Sequence, residues 1–293
     1  MPTKRNRDHV RHANSRRIAA LATPAAALAL PLLAAGCAHG PSSSSTPTYS
    51  LEATSPDDVY AIEASVASAF AALPTRVIGR SVEGREITAV EIGDGDELIV
   101  FIAGIHGNEP AGVPLTERLL VELKQHPALI EGRRIVAVAR ANPDGLYADD
   151  RLNVNGVDLN RNFPAANHNP ERDRHGSMPL SEPEARALHD LFVSLPTPAR
   201  VISLHQPLVC VDYDGPEDRT RPLAEALAEA SGLPVKKLGS RPGSLGSWLG
   251  VDRQTPTITV EFYKADTARS DAELWELYGE MMLAAVTYPE PVP

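Results

Sequence analysis

His106 and Glu109 stand three residues apart in His106-Gly107-Asn108-Glu109, directly after the apolar run Leu98-Ile99-Val100-Phe101-Ile102-Ala103. A strand ending in His-x-x-Glu delivers an imidazole and a carboxylate to the lip of a sheet, where both can bind one divalent ion. A second imidazole, His205, arrives in the same setting at the end of Val201-Ile202-Ser203-Leu204. Two histidines and one carboxylate leave a fourth coordination position open, the ligand count of a catalytic rather than a structural zinc. The run Thr257-Ile258-Thr259-Val260 brings Glu261 forward as an acid that need not be a ligand. Metal, water and carboxylate together are equipment for hydrolysing an amide or an ester.

Positioning these groups requires several strands that end on one edge. Short apolar runs alternate with amphipathic stretches throughout, the pattern of an α/β fold with a mixed, mostly parallel central sheet covered by helices on both faces. Strands are expected at Glu86–Ile92, Leu98–Ala103, Arg134–Ala139, Arg200–Leu204 and Thr257–Val260. Helices are expected at Asp57–Ala72, Ala111–Gln125, Glu182–Leu195, Thr220–Ala230 and Asp271–Val286. Ser181-Glu182-Pro183-Glu184 and Ser270-Asp271-Ala272-Glu273 read as capping boxes that open two of them. The segment from Asn142 to Pro179 follows neither period, and a loop of that length in a compact domain is usually functional or disordered. It leaves a strand near Ala139, so it should overhang the edge that carries the metal.

The ends divide the chain. Residues 1–36 carry six basic side chains, then an Ala/Leu-rich run from Ile18 to Leu33, and read as an export signal. Leu33-Ala34-Ala35-Gly36-Cys37 resembles a lipobox, which would make Cys37 a lipidated mature N-terminus. Residues 37–54, with Pro41-Ser42-Ser43-Ser44-Ser45-Thr46-Pro47, read as a flexible tether. Residues 55–293 are long enough for one α/β domain. The expected protein is exported, held to a membrane by its lipid anchor only, and faces the periplasm or cell-wall space. Removing residues 1–36 takes away six basic residues and one acidic one, so a net charge of −10 becomes −15. No basic patch is left to track phosphates, which argues against nucleic acid. Cys210 follows Leu208-Val209 and is expected to be a small buried hydrophobe. His126, His168, His175 and His189 have no partner at ligand spacing and are expected at the surface.

His106-x-x-Glu109, Asn142-Pro143-Asp144-Gly145, Gly156-Val157-Asp158-Leu159-Asn160-Arg161-Asn162-Phe163 and Glu261 together resemble the zinc carboxypeptidase family, in order and spacing, from about Gly104 to Tyr263. Asn162-Phe163-Pro164-Ala165-Ala166-Asn167, His205-Gln206-Pro207-Leu208 and Pro242-Gly243-Ser244-Leu245-Gly246-Ser247-Trp248 are similar to its bacterial branch that cleaves murein peptides. The resemblance implies one zinc per chain, held by His106, Glu109 and His205, with Glu261 as general base and then general acid. It further implies that Arg161 with Asn160 grips a terminal carboxylate of the substrate and that Arg151 faces the scissile carbonyl. Asp158 is expected to prop either the loop or, as an acceptor, a ligand histidine. Many digestive members carry a mobile tyrosine soon after the tryptophan matching Trp248. Here Leu249-Gly250 stand in that place, which implies a more open site.

A murein peptide, or another small peptide, is the substrate class the resemblance implies. The bond would lie between γ-D-glutamate and meso-diaminopimelate, whose α-carboxylate suits Arg161. The far end of diaminopimelate carries an ammonium and a carboxylate, so its pocket should hold charges of both signs. Asp212 and Asp214 in Val211-Asp212-Tyr213-Asp214 are candidates for the ammonium. Aspartoacylase-like and succinylglutamate-type deacylases share the His-Gly-Asn-Glu and Asp-Leu-Asn-Arg elements and form one rival reading. A general carboxypeptidase is a second, and a non-catalytic wall-binding lipoprotein is a rival of another class.

Overall fold

In the computed structural model the backbone is described over residues 56–289, with side chains from residue 60. The expected leader, Cys37 and the whole of the tether lie outside the described residues. Seven strands follow one another as β1 (Thr75–Arg80), β2 (Glu86–Ile92), β3 (Glu97–Ile102), β4 (Arg133–Val138), β5 (Arg200–His205), β6 (Cys210–Asp214) and β7 (Thr257–Glu261). They form one sheet in the order β1-β2-β4-β3-β5-β7-β6. The central four run parallel, β4 beside β3, β3 beside β5 and β5 beside β7. The edges are antiparallel, so the sheet is mixed and mostly parallel at its centre.

Continuous apolar runs make the central strands because both faces are covered. Ile99 and Phe101 of β3 point to the face packed by α2 (Gly112–Gln125), α5 (Glu217–Ser231) and α6 (Asp271–Thr287), through Leu119, Leu223 and Met282. Leu98, Val100 and Ile102 point to the other face, packed by Leu188 and Phe192 of α4 (Pro183–Ser194) and by Trp248. α1 (Pro56–Ala71) lies against α2 and α6. Among the described residues no helix is long and apolar enough to cross a membrane.

Three expectations are corrected. β1 and β6 are strands that the sequence pattern did not announce. β1 is mostly exposed at an edge, and in β6 the acids Asp212 and Asp214 occupy positions where a core strand would be apolar, although all five residues are buried. The Ser270 box forms as expected, but Ser181 does not cap α4. Its hydroxyl donates to Glu182 and accepts from the Asn162 amide, and Glu182 takes the N-cap place without its side chain capping the helix. His175 is buried, not at the surface, and its ring lies beside that of His168.

The long segment after β4 is ordered by its own polar side chains. It opens with the short helix α3 (Pro143–Ala148), capped by the Asn142 side-chain Oδ1, which accepts from the Gly145 amide at 2.9 Å. Asn153 donates to Glu182 and Glu184. Asn162 donates to the carbonyls of His175 and Met178. Such satisfied buried amides fix a backbone that has no sheet or long helix to lean on.

Candidate metal centre

Parallel register brings the chemistry to one edge. Ile102 of β3 sits opposite Ser203 of β5, and His205 at the end of β5 sits opposite Glu261 at the end of β7. The chain after β3 turns to present His106 and Glu109, and the turn is locked against α3. A Cβ on Gly107 would fall 1.9 Å from the Gly145 carbonyl carbon, so the His-Gly-Asn-Glu and Asn-Pro-Asp-Gly motifs pack backbone against backbone. The Asn142 amide also reaches the Ile105 carbonyl.

Three buried donor atoms then converge. His106 Nδ1 lies 2.9 Å from Glu109 Oε2, His205 Nδ1 lies 3.0 Å from the same oxygen, and the two Nδ1 atoms are 3.2 Å apart. These separations approach the ~3.4 Å edge expected for a tetrahedral ion with bonds of about 2.1 Å. The outer nitrogens are committed elsewhere: His106 Nε2 to Asp158 at 2.9 Å and His205 Nε2 to Ser203 Oγ at 3.0 Å. With Asp158 as acceptor at Nε2, His106 can turn its Nδ1 toward a cation, and His205 Nδ1 lies at ligand separation from the same Glu109 oxygen. The residues present therefore fit zinc.

Charge around the trio is arranged to suit. Burial would raise Glu109, but its bonds to His106 and His205 hold it well below the usual carboxylate range. Burial would likewise raise Asp158, and the bond to His106 overrides it. Burial would lower His106, and the two carboxylates raise it. Arg151 donates to Glu109 Oε1 at 2.6 Å and to Asp158 Oδ2 at 3.1 and 3.2 Å. It thus pins the ligand carboxylate and the carboxylate behind the ligand imidazole at once, while still lining the pocket.

Every residue expected at the site and described here borders one pocket: His106, Glu109 and His205, then Glu261, Arg151, Asn160, Arg161 and Asp212. Glu261 is buried and raised above the ordinary carboxylate range by desolvation, with the Leu208 amide 3.2 Å from its Oε2. Arg161 donates to the carbonyl of Asn160 and has no ion pair among the described residues. Asn160 uses its side-chain oxygen to accept from the Leu245 amide at 2.9 Å, leaving its NH2 group for a ligand. Asp212 and Asp214, two apart on β6, share the face toward the pocket. One charged pocket residue, Arg241, was not marked by any sequence pattern. Arg241 stands in Gly239-Ser240-Arg241-Pro242-Gly243, a turn-rich stretch with no periodicity to mark it.

Comparison with known proteins agrees with this geometry. A zinc carboxypeptidase family profile matches residues 60–231. Murein peptide amidase A of Escherichia coli K12 is 41% identical over 180 residues, 56% of this chain and 70% of that protein. The protein of the same name from Vibrio campbellii is 35% identical over 179 residues, covering 55% and 68%. The crystal structure of murein-tripeptide amidase MpaA from Escherichia coli O157 aligns with a TM-score of 0.61 and 32% identity, over 76% of this chain and 96% of that one. Carboxypeptidase A of Helicoverpa armigera, at 18% identity and a TM-score of 0.61, shares the fold. The family profile ends before Glu261, which takes its place from the strand register instead. Ligand trio, sheet order and similarity thus agree that the chain belongs to the zinc carboxypeptidase family.

Proposed function

We propose that this protein is a zinc-dependent amidase that hydrolyses the γ-D-glutamyl–meso-diaminopimelate bond of murein peptides. The observation that carries the reading is the pocket itself: a His₂Glu centre, a buried Glu261 and the unpaired Arg161 border one cavity. The named relatives that cut murein peptides supply the substrate class. Bound zinc supplies a water of lowered pKa and a Lewis acid for the carbonyl. Glu261, desolvated and above its ordinary pKa, is suited to take a proton from the attacking water and return it to the leaving amine. Arg161 and the Asn160 amide orient the substrate by the α-carboxylate next to the scissile bond. Arg151, fixed by two carboxylates, keeps a guanidinium beside the carbonyl oxygen where negative charge develops.

The same reading places the protein outside the cytoplasm, exported and anchored through a lipid on Cys37, where wall fragments are released. Support for this comes from residues 1–54 of the sequence. The zinc-loaded protein should release free diaminopimelate from L-Ala-γ-D-Glu-meso-Dap with a higher kcat/KM than it shows for N-acyl amino acids or unmodified dipeptides. Faster turnover of an N-acyl amino acid would favour the deacylase reading.

A further inference from the structure

The pocket beyond the metal centre carries two ionic groups that the proposed reaction does not use. Asp214 is 7% exposed, and its carboxylate makes no hydrogen bond or ion pair among the described residues. It still borders the pocket. Space has been cleared around it: a Cβ on Gly246 would fall 2.3 Å from Asp214 Oδ2, and one on Gly250 would fall 2.5 Å from its Cβ. Lys237 is within electrostatic range of Asp214 but donates to the Tyr213 carbonyl instead. A buried carboxylate without a hydrogen-bonded partner is costly unless a donor or cation arrives to meet it.

Asp212 has a different task. Its Oδ1 accepts from the Leu238 amide at 2.9 Å, tying β6 to the segment that leads into Arg241. From its other side that segment is clamped to the arginine loop. The Gly243 carbonyl accepts from the Phe163 amide at 2.9 Å, and a Cβ on Gly243 would strike the Arg161 carbonyl oxygen at 2.1 Å. Arg241 is therefore mounted on a held backbone. Its guanidinium, on the exposed rim of the same pocket, has no side-chain partner among the described residues. It lies within electrostatic range of both Asp212 and Arg161.

We propose that Arg241 and Asp214 form a two-charge clamp for a zwitterionic substrate side chain, Arg241 taking its distal carboxylate and Asp214 its ammonium. This rests on the amidase reading and adds to it the residues that select the amino acid. Arg161 and Asn160 hold the α-carboxylate, so a diamino dicarboxylic acid would be gripped at three ionic points. A lysine in its place would lack the group that Arg241 meets. A bidentate arginine–carboxylate pair also fixes orientation, which a point charge does not.

The test measures kcat and KM of the zinc-loaded full chain on three substrates: L-Ala-γ-D-Glu-meso-Dap, the same peptide with its distal carboxylate amidated, and the L-lysine analogue. Wild type should prefer the first. Arg241→Gln, an exposed change, should lower kcat/KM on the first by about 10–100-fold, mostly through KM, and leave the other two nearly unchanged. Asp214→Asn should lower all three, since each presents an ammonium. If Arg241→Gln weakens the three equally, or none of them, the clamp is wrong while the amidase assignment stands. If the wild type cleaves none, the assignment itself falls and the clamp with it.

Discussion

His106 shows how far a single ligand depends on the residues behind it. Its Nδ1 faces the ion position only while Asp158 holds Nε2 at 2.9 Å, and Asp158 is itself held by Arg151. Carboxylates behind metal-bound histidines fix tautomer and ring orientation and strengthen the ligand. Asp158→Asn keeps the shape and removes the charge, so zinc affinity should fall by about 10–100-fold. A titration against a competing chromophoric chelator reads this directly, and an unchanged affinity would show that Asp158 only shapes the loop. His205 and Glu261 were legible because each ends an apolar strand that fixes position and direction, and His106 and Glu109 because their His-x-x-Glu spacing follows directly on one. Arg151 was visible only as a loop cation. Its double hold on Glu109 and Asp158 joins residues 42 and 7 positions away, which no local pattern encodes.

At the scale of elements, β6 departs furthest from what its residues suggest. Central strands were readable because burial on two faces demands unbroken apolar runs. β6 is equally buried, yet two of its five residues are aspartates that face the pocket, so its function erased the signal of its structure. This should cost stability. Burial, and then the neighbouring Asp212, push Asp214 up to about 6, against ~3.9 in an unfolded chain. The folded protein holds that proton more tightly, so Asp214 weakens the fold as pH rises from about 4 to about 6, and the full penalty persists above that. Asp214→Asn should therefore raise stability by about 1–3 kcal/mol near pH 7.5, with the gain fading below about pH 4. Chemical denaturation at the two pH values checks this; a variant less stable than wild type at pH 7.5 would mean that the carboxylate is already satisfied. The missed β1 has a simpler cause, an exposed edge strand with no buried face to pattern it.

For the whole molecule, the sheet order, the family membership and the acidic charge of −10 combine with an N-terminal segment read as leader, Cys37 and tether. Radiolabelled palmitate fed to the expressing cell should label the protein, and Cys37→Ser should abolish the label. Labelling that survives the substitution would move the anchor elsewhere. Amide hydrolysis with Glu261 as the proton carrier is reached by one measurement. Wild type and Glu261→Gln, each verified by metal analysis to hold one zinc, are given L-Ala-γ-D-Glu-meso-Dap, and free diaminopimelate is followed by mass spectrometry. The expected result is release by the wild type and a rate lower by about 10²–10⁴-fold in the variant. No release by the zinc-loaded wild type, or equal release by both, would contradict it.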